Sequence, residues 1–212
     1  MTVVSPGREC PLCPRLVDFR QNNRQRWPDW HNAPVPSFGE ADPWLLVVGL
    51  APGLKGANRT GRPFTGDHAG ILLYAALRRF GLATGTYGAS AEDGLELIGC
   101  RITNAVRCVP PDNKPSPAEI TRCNQYLASE LAALPGLRAV LALGRIAHDA
   151  VLTASGLKKT LHPFQHSTIH RLPGGRVLAD SYHCSRQNTA TGRLTAAMFD
   201  AVFEDVIATC RR

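Results

Sequence analysis

Strand-like and helix-like segments alternate along this chain, and the alternation limits the folds that it can adopt. Uninterrupted apolar runs such as WLLVVG are typical of parallel strands covered on both faces of a sheet. Four segments are predicted as strands: Trp44–Gly49, Gly99–Val106, Arg138–Gly144 and Val177–Ser181. The alternation with helices predicts an α/β fold, a three-layer α/β/α sandwich around a mostly parallel four-stranded sheet.

Periodic apolar residues predict the helices between and after these strands. The predicted ranges are His68–Phe80, Ser116 to about Leu134, Arg145–Ala154 and Thr189–Ala208. Ser116 precedes Pro117, and Glu119 follows at the third helical position, which is the pattern of a capping box with proline at the first helical residue. Ligands of such sheets bind beyond the carboxyl ends of the strands. The loops there are Leu50–Asp67, Asn104–Pro117 and His183–Asn188.

The 212 residues fit a single domain, 1–212. Residues 1–43 have little apolar periodicity and many prolines, and we expect an irregular N-terminal wrap with a short helix around Arg15–Asn23. The chain has no apolar run of about 20 residues and no apolar N-terminal signal. We therefore expect a cytoplasmic protein that contacts no membrane.

The chain is basic, with 24 Lys and Arg residues against 17 Asp and Glu residues and a net charge of +7. Such a surface favours a polyanionic partner, for example a nucleic acid. Because the cytoplasm is reducing, we do not expect the seven cysteines to form disulfides. The C-x2-C pair Cys10 and Cys13 indicates a metal or redox site, and a four-sulfur metal site needs two more thiolates.

Four motifs at the three loops resemble the uracil-DNA glycosylase superfamily, and specifically its iron–sulfur type-5 branch. They are Gly49-Leu50-Ala51-Pro52-Gly53, Gly56-Ala57-Asn58-Arg59-Thr60-Gly61-Arg62-Pro63-Phe64-Thr65-Gly66-Asp67, Thr103-Asn104-Ala105-Val106-Arg107-Cys108 and His183-Cys184-Ser185-Arg186-Gln187-Asn188. The resemblance extends from Cys10 to about Arg193. Leu50 stands where type-4 enzymes carry an acidic residue, and Asp67 ends the loop as in type-5 enzymes. Cys184 departs from the proline that is usual there.

The resemblance implies a catalytic site of Asp67, Asn104 and His183. Phe64 would stack on an extruded base, and the Asn104 carboxamide would read the edge of that base. A neutral His183 would stabilise negative charge on the departing base, and Asp67 would orient water or stabilise the sugar cation. The alternatives from sequence alone are a core phenylalanine, a turn-forming asparagine and an N-cap aspartate.

The resemblance also implies which residues contact the substrate base and the DNA. The base would touch the backbone of Gly49, Leu50, Ala51 and Gly53, because glycine permits a close approach. The DNA-binding residues would be Ser185, Arg186, Gln187 and Asn188 in the third loop and Arg59 and Arg62 in the first. For each single arginine, a solvated surface charge is the alternative.

A four-thiolate site formed by Cys10, Cys13, Cys108 and Cys123 is implied as well. Four thiolates suit a [4Fe–4S] cluster or a structural zinc, and the spacing alone does not separate them. The resemblance implies the [4Fe–4S] cluster, which would pin the N-terminal wrap to the second loop, with Cys100 and Cys210 as non-ligands. The spaced histidines His162, His166 and His170 lack a carboxylate in their motif and are expected in a surface strand or loop.

The predicted function is therefore monofunctional DNA repair, by a nucleoid-associated protein that we expect to act as a monomer. The enzyme would hydrolyse the N-glycosidic bond of uracil in DNA, and of other deaminated bases such as hypoxanthine and xanthine, and leave an abasic site. The alternatives are a non-catalytic iron–sulfur or zinc module that binds nucleic acid, a superfamily member that binds the abasic product covalently, and a redox carrier.

Overall fold

The central sheet contains the predicted parallel strands and an antiparallel strand at each edge. The structure is a computed structural model that describes residues 2–211. Its strands are β1 (Phe38–Gly39), β2 (Leu45–Gly49), β3 (Ala83–Thr84), β4 (Glu96–Leu97), β5 (Cys100–Asn104), β6 (Ala139–Leu143), β7 (Ile169–Arg171) and β8 (Val177–Ser181). Within residues 2–211 the main sheet has six strands in the order β1-β5-β2-β6-β8-β7, and β3 pairs with β4 separately.

The four predicted strands are parallel neighbours in the middle of this sheet. The two edge strands, β1 and β7, are antiparallel to their neighbours and were not predicted. They are two and three residues long, too short for a period-2 apolar pattern to mark them. The predicted count of four strands is therefore wrong for the whole sheet, while the predicted fold class is confirmed.

Helices cover both faces of the sheet. They are α1 (Pro14–Arg26), α2 (Ala57–Thr60), α3 (His68–Arg79), α4 (Pro117–Ala133), α5 (Arg145–Ala154), α6 (Arg186–Ala190) and α7 (Ala196–Arg211). Alternate residues of β2 serve the two faces, as expected for a strand. Leu45 and Val47 belong to the core with α3 and α7, and Leu46 and Val48 belong to the core with α4 and α5.

Local sequence signals place the helix termini. Ser116 and Glu119 form the predicted capping box of α4, and Asp67 caps α3. The predicted helix Thr189–Ala208 is wrong at residues 191–195, which lie between α6 and α7. Gly192 has φ +71° and separates α6 from α7, because this left-handed backbone cannot continue a helix. None of the helices that the structure describes is long and apolar enough to span a bilayer.

Candidate active site

The three predicted loops meet at the carboxyl edge of the sheet and enclose one cavity of about 250 Å³. We call it the base cavity. Its walls include Leu50, Ala51, Pro52, Gly53, Phe64, Asp67, Asn104, Asn113, His183, Ser185 and Arg186. A contact beside the loops joins α3 to α6, since His68 Nε2 and Thr189 Oγ1 lie 2.9 Å apart. The cavity forms because parallel strands deliver their carboxyl ends to the same edge.

Gly49 is buried beside two residues that line the base cavity, Asn104 and Phe64, and does not line the cavity itself. It ends β2 and pairs with Asn104, which ends β5. A Cβ atom at position 49 would lie 2.5 Å from Phe64 Cζ and would also collide with Asn104 Oδ1. Only glycine therefore leaves the space that the amide and the ring occupy. The Asn104 side chain is buried, and its amide offers donors and an acceptor to a group in the cavity.

Phe64 has a strained backbone at this site. Its φ is +54°, which is rare for a residue with a bulky side chain. Tyr87 donates a hydrogen bond of 3.2 Å from its hydroxyl to the Phe64 carbonyl and helps to hold this conformation. The ring belongs to the hydrophobic core and also lines the base cavity. Phe64 is therefore both the core phenylalanine and the cavity residue that the sequence offered as alternatives. Its centroid lies 5.9 Å from that of His183, with 28° between the ring planes.

Asp67 is both the predicted N-cap and a wall of the cavity. Its Oδ1 accepts a 3.2 Å hydrogen bond from Gly70 N. Gly53 and Gly56 pack closely around its other oxygen, Oδ2. Burial raises the pKa of the Asp67 carboxyl, and the N–H groups of Gly70 and Ala69 only partly oppose this shift. The Asp67 carboxylate is therefore shielded from water. In such an environment an ionised oxygen accepts hydrogen bonds more strongly than it does in water.

His183 follows β8 and is neutral near physiological pH. Burial lowers the pKa of its imidazole to about 4. Asn188 Nδ2 donates a 2.8 Å hydrogen bond to the His183 carbonyl and fixes the third loop. An uncharged imidazole in the cavity offers one N–H donor and one acceptor nitrogen. This is the protonation state that the proposed stabilisation of a departing anion requires.

The predicted DNA-binding residues do not all lie on the surface. Arg59, Arg186 and Gln187 are exposed around the cavity loops, and Ser185 and Asn188 are half-buried. The Ser185 hydroxyl accepts a 3.4 Å hydrogen bond from Asn188 N and caps α6.

The position of Arg62 contradicts its predicted role as a DNA-binding residue. It is only 4% exposed, and its two terminal nitrogens donate to the Asp93 carboxylate at 2.8 and 2.7 Å. The expected DNA contact of Arg62 is wrong, because its donors are already used inside the protein. The partner, Asp93, is 31 residues away in sequence, and the hydrogen bonds lower the pKa of that carboxyl.

Asn113 is a cavity residue that the sequence prediction missed. It lies in the proline-rich turn after β5 and has φ +55°, next to Asp112 with φ +54°. Asparagine and aspartate adopt this left-handed backbone more readily than other residues, so the Asp-Asn pair was the signal. Arg15 holds the turn by donating to the Lys114 carbonyl at 3.0 Å and to both Glu119 oxygens.

The four predicted metal ligands converge on a second small cavity, which we call the cysteine cavity. Its walls include Cys10, Cys13, Cys108, Cys123, Arg20 and Tyr126. Arg107 N donates to Cys123 Sγ at 3.3 Å, and Arg20 Nη1 lies 3.8 Å from Cys108 Sγ. Cys100 lies in the main core and Cys210 on α7. The structure thus brings together the four predicted cysteines and keeps these two apart from them.

Arg20 gives this cavity an unbalanced positive charge. The residue is 3% exposed, and its Nε has no hydrogen-bond partner. Across residues 2–211, no salt bridge involves Arg20. Burial also raises the pKa of Cys108 to about 12 and that of Cys123 to about 11. A buried cation without a counter-charge is costly, so the donor set fits an anionic centre made by four thiolates.

The spaced histidines form no three-histidine site. His170 lies on β7, and it joins His148 of α5 around the buried Asp180 of β8. The Asp180 carboxylate accepts from His148 Nδ1 at 2.7 Å and from His170 Nε2 at 3.1 Å. His148 Nε2 lies 2.8 Å from the carbonyl of His162, which can only accept. Both His148 nitrogens therefore face acceptors, which makes His148 a charged imidazolium paired with Asp180.

Known proteins are similar to most of this chain. A family model described as the uracil DNA glycosylase superfamily matches residues 36–207. A type-5 uracil-DNA glycosylase of Thermus thermophilus is 50% identical over 196 residues, which are 90% of this chain and 89% of that protein. A type-5 uracil-DNA glycosylase of Mycobacterium leprae is 45% identical over 204 residues, 92% of this chain and 89% of that protein. A type-4 enzyme of Pyrobaculum aerophilum is 33% identical over 150 residues, 70% of this chain and 62% of that protein.

Proposed function

The chain belongs to the uracil-DNA glycosylase superfamily, and from that premise we propose that it is a uracil-DNA glycosylase that hydrolyses the N-glycosidic bond of deoxyuridine in DNA. The family predicted from the four motifs is confirmed by the matched residues and by the type-5 relatives. One observation supports the activity most directly: Phe64, Asn104, Asp67 and His183, which come from three separate loops, line one cavity.

The cavity residues suit an extruded base. Chemistry on the glycosidic bond requires the base to leave the helix stack and enter a pocket. The Phe64 ring would support the base face, and the Asn104 amide would hydrogen-bond its edge. Gly49 lets both groups approach, since its missing side chain leaves their space open.

Cleavage of the glycosidic bond leaves negative charge on the base and positive charge on the sugar. The site has one residue that could stabilise each of these charges. The electrons of the C1′–N bond leave with the base, and a water oxygen forms the new bond to C1′ while its proton is released. A neutral His183 would donate its N–H to the developing anionic base, a preorganised donor of the kind worth about 3 kcal/mol when it is lost. The Asp67 carboxylate would stabilise the sugar cation or orient the attacking water.

The exposed residues around the cavity would position the DNA. Arg186 and Gln187 lie on the third loop and Arg59 on the first, all of them accessible to phosphates. Ser185 would contribute its hydroxyl, and Asn188 would act chiefly by holding the His183 carbonyl. Contacts of this kind fix register on the DNA and carry no base information.

The cysteine cavity would hold a [4Fe–4S] cluster with Cys10, Cys13, Cys108 and Cys123 as ligands. Four thiolates suit either this cluster or a structural zinc, and metal analysis of the purified protein distinguishes the two. The role of the cluster would be structural, joining α1 to the turn after β5.

Excision of hypoxanthine and xanthine is the finer part of the proposal. Asn104 is the chief polar reader in the base cavity, and an amide can present either a donor or an acceptor to a base edge. That property supports a wider set of deaminated bases. The expected monomeric state and nucleoid association remain predictions.

An excision assay tests the activity. Oligonucleotides with a single uracil, hypoxanthine or xanthine are incubated with the purified protein and then treated with alkali, which breaks the strand at an abasic site. We expect cleavage at uracil, and a slower reaction at the other two bases. DNA binding without any cleavage at uracil would instead indicate a non-catalytic module, and a protein–DNA adduct stable in denaturing electrophoresis would indicate covalent capture.

A further inference from the structure

The loop between β3 and β4, residues 85–95, is hydrogen-bonded to the backbone of the first loop beside Phe64. We call it the Tyr87 loop. The Tyr87 hydroxyl donates to the Phe64 carbonyl at 3.2 Å and accepts from Gly66 N, also at 3.2 Å. Both backbone groups belong to the short turn that carries the Phe64 ring. A single side-chain hydroxyl therefore closes this turn from outside the first loop.

The turn at Phe64 needs such support. The backbone of Phe64 has φ +54°, and a bulky residue keeps this left-handed conformation only where its surroundings hold it there. Gly70 of α3 leaves room for the contact. A Cβ atom at position 70 would lie 2.5 Å from the Tyr87 hydroxyl and would also collide with the Phe64 carbonyl oxygen. The absence of a side chain at Gly70 thus provides the space in which the carbonyl and the hydroxyl meet.

Tyr87 is itself held in place by Tyr74. The two rings are stacked, with centroids 4.7 Å apart and 25° between the planes. The Tyr74 hydroxyl donates at 2.6 Å to the carbonyl of Pro63, the residue before Phe64. Burial raises the pKa of Tyr87, so its hydroxyl remains a hydrogen-bond donor at neutral pH. The carbonyls of two consecutive residues are therefore fixed by a pair of stacked tyrosines.

The ion pair of Arg62 and Asp93 joins the Tyr87 loop to the first loop. Their side chains are 4% and 5% exposed. The Asp93 carboxylate also accepts from Gly88 N at 2.8 Å and from Leu95 N at 3.0 Å, within the Tyr87 loop. Loss of one partner from a buried ion pair is costly, so this connection is firm. It sets the position of Tyr87 relative to the turn that Tyr87 closes.

We propose that Tyr87 is a positioning residue for uracil excision, which holds the Phe64 ring in place to stack on the extruded base. The inference rests on the proposed function, because the ring has this role only if a base enters the cavity. Tyr87 does not line the base cavity, whereas Phe64 does, so Tyr87 would act on the base only through Phe64. A ring that is already oriented makes the stacking contact without a further ordering cost. Without the hydroxyl, the turn could relax and the ring could leave its place beside Gly49.

Tyr87→Phe tests this role, because it removes one oxygen and keeps the ring that stacks on Tyr74. We expect the single-turnover rate of uracil excision to fall about tenfold, the effect of one lost hydrogen bond. The Kd for an undamaged duplex, measured by fluorescence anisotropy, should stay close to the wild-type value, since the exposed loop residues are unchanged. Thermal melts identify a temperature at which both proteins are fully folded, and the rates are measured there.

A double-mutant cycle shows whether the effect passes through the Phe64 ring. Phe64→Leu removes the ring and should slow excision by itself. Tyr87→Phe should then have little further effect on the rate in the Phe64→Leu background, because coupled residues do not act additively. Full additivity of the two substitutions would show that Tyr87 does not act through the ring, and would overturn the inference. A loss of stability alone predicts the same tenfold factor in both backgrounds.

Ser90→Ala is the matched control, because it removes a hydroxyl from the same loop. Ser90 is exposed, and its Oγ accepts from Glu92 N at 3.2 Å within the Tyr87 loop. This variant should excise uracil at the wild-type rate. A rate as slow as that of Tyr87→Phe would mean that any loosening of the loop slows the reaction, and would reject the specific role of Tyr87.

The outcome for the wild type separates this inference from the proposed function. If the wild type excises uracil and Tyr87→Phe does so at the same rate, the positioning role is rejected and the proposed activity is retained. If the wild type excises no uracil, the proposed function is rejected, and the role of Tyr87 is rejected with it.

Discussion

Gly49 and Asn104 are partners in the last pair of the ladder between β2 and β5, and the space left by the missing Gly49 side chain is occupied by the Asn104 amide and the Phe64 ring. The ends of two neighbouring strands are thus matched in register and in shape. The base cavity depends on this match, because the Asn104 amide and the Phe64 ring both line the cavity and both occupy the space beside Gly49. Substitutions at the site can therefore test the rate of the reaction separately from the stability of the fold.

Gly49→Ala is expected to slow uracil excision about 100-fold or more while leaving DNA binding by the loops largely intact. The added methyl displaces Asn104 and Phe64, and shifts of about 1 Å at a reacting site have effects of this size. Single-turnover excision and anisotropy measure the two quantities. Gly7→Ala is the control, since Gly7 has no heavy atom within 4 Å of a built Cβ. Wild-type excision by Gly49→Ala would contradict the requirement for glycine behind Asn104 and Phe64.

Asp67→Asn separates the catalytic and capping roles of this residue. Asparagine is as good an N-cap as aspartate, so α3 and the thermal stability should be retained. The excision rate should fall about 100-fold or more if the carboxylate acts on the water or the sugar cation. Single-turnover rates and a thermal melt are compared for the two proteins. An unchanged rate would leave Asp67 with the cap alone.

The pH profile of excision should have an acid limb set by Asp67. Burial raises the pKa of Asp67, so the proposed catalytic carboxylate is lost as pH falls through a pKa higher than the ordinary aspartate value. His183, with a pKa lowered to about 4, is neutral near pH 7 and contributes no limb there. The rate should therefore rise with pH and then level off. A rate that falls between pH 6 and 8 would indicate a different titrating group.

Cys123→Ala is expected to abolish the brown absorbance of an iron–sulfur cluster and to lower stability. Cys123 lines the cysteine cavity and accepts a hydrogen bond from Arg107 N. Cys100→Ala is the matched control, because Cys100 is also buried but lies in the main core away from that cavity. Absorbance and metal analysis are the readouts. A colourless wild type that contains one zinc would reject the cluster.

His148 and Asp180 should give the protein a pH-dependent stability. Burial opposes protonation of His148, but the hydrogen bond and charge of Asp180 outweigh it and raise the His148 pKa. The stabilisation is complete below the ordinary histidine pKa and is lost as pH rises through the raised value. Thermal melts from pH 6 to 9 should show this loss, and His148→Gln should abolish it. His68→Gln, at an exposed histidine, should keep the wild-type trend.

Removing the other partner tests the same pair from its acidic side. Asp180→Asn would leave the buried His148 without its counter-charge and should cost about 3 to 5 kcal/mol of stability at neutral pH. Chemical denaturation measures this difference. Stability equal to that of the wild type would mean that His148 is neutral in the folded protein.

The amino-acid sequence by itself determined the layered fold and the order of the site motifs. Apolar runs, turn residues and caps act over a few neighbouring residues, so β8, α5 and the Ser116–Glu119 capping box followed from local patterns. The carboxyl-end rule for parallel sheets then predicted which loops meet, and the base cavity confirms that meeting.

Only the tertiary structure decided which charged groups are free. Arg59 and Arg62 both lie in the first loop, and the sequence alone does not distinguish them. In the structure Arg62 is hydrogen-bonded to Asp93, whereas Arg59 is exposed. The pairing of His148 with Asp180 likewise joins a helix to a strand across 32 residues. Burial and ion pairing depend on which distant segments pack together, and short-range sequence patterns do not encode that choice.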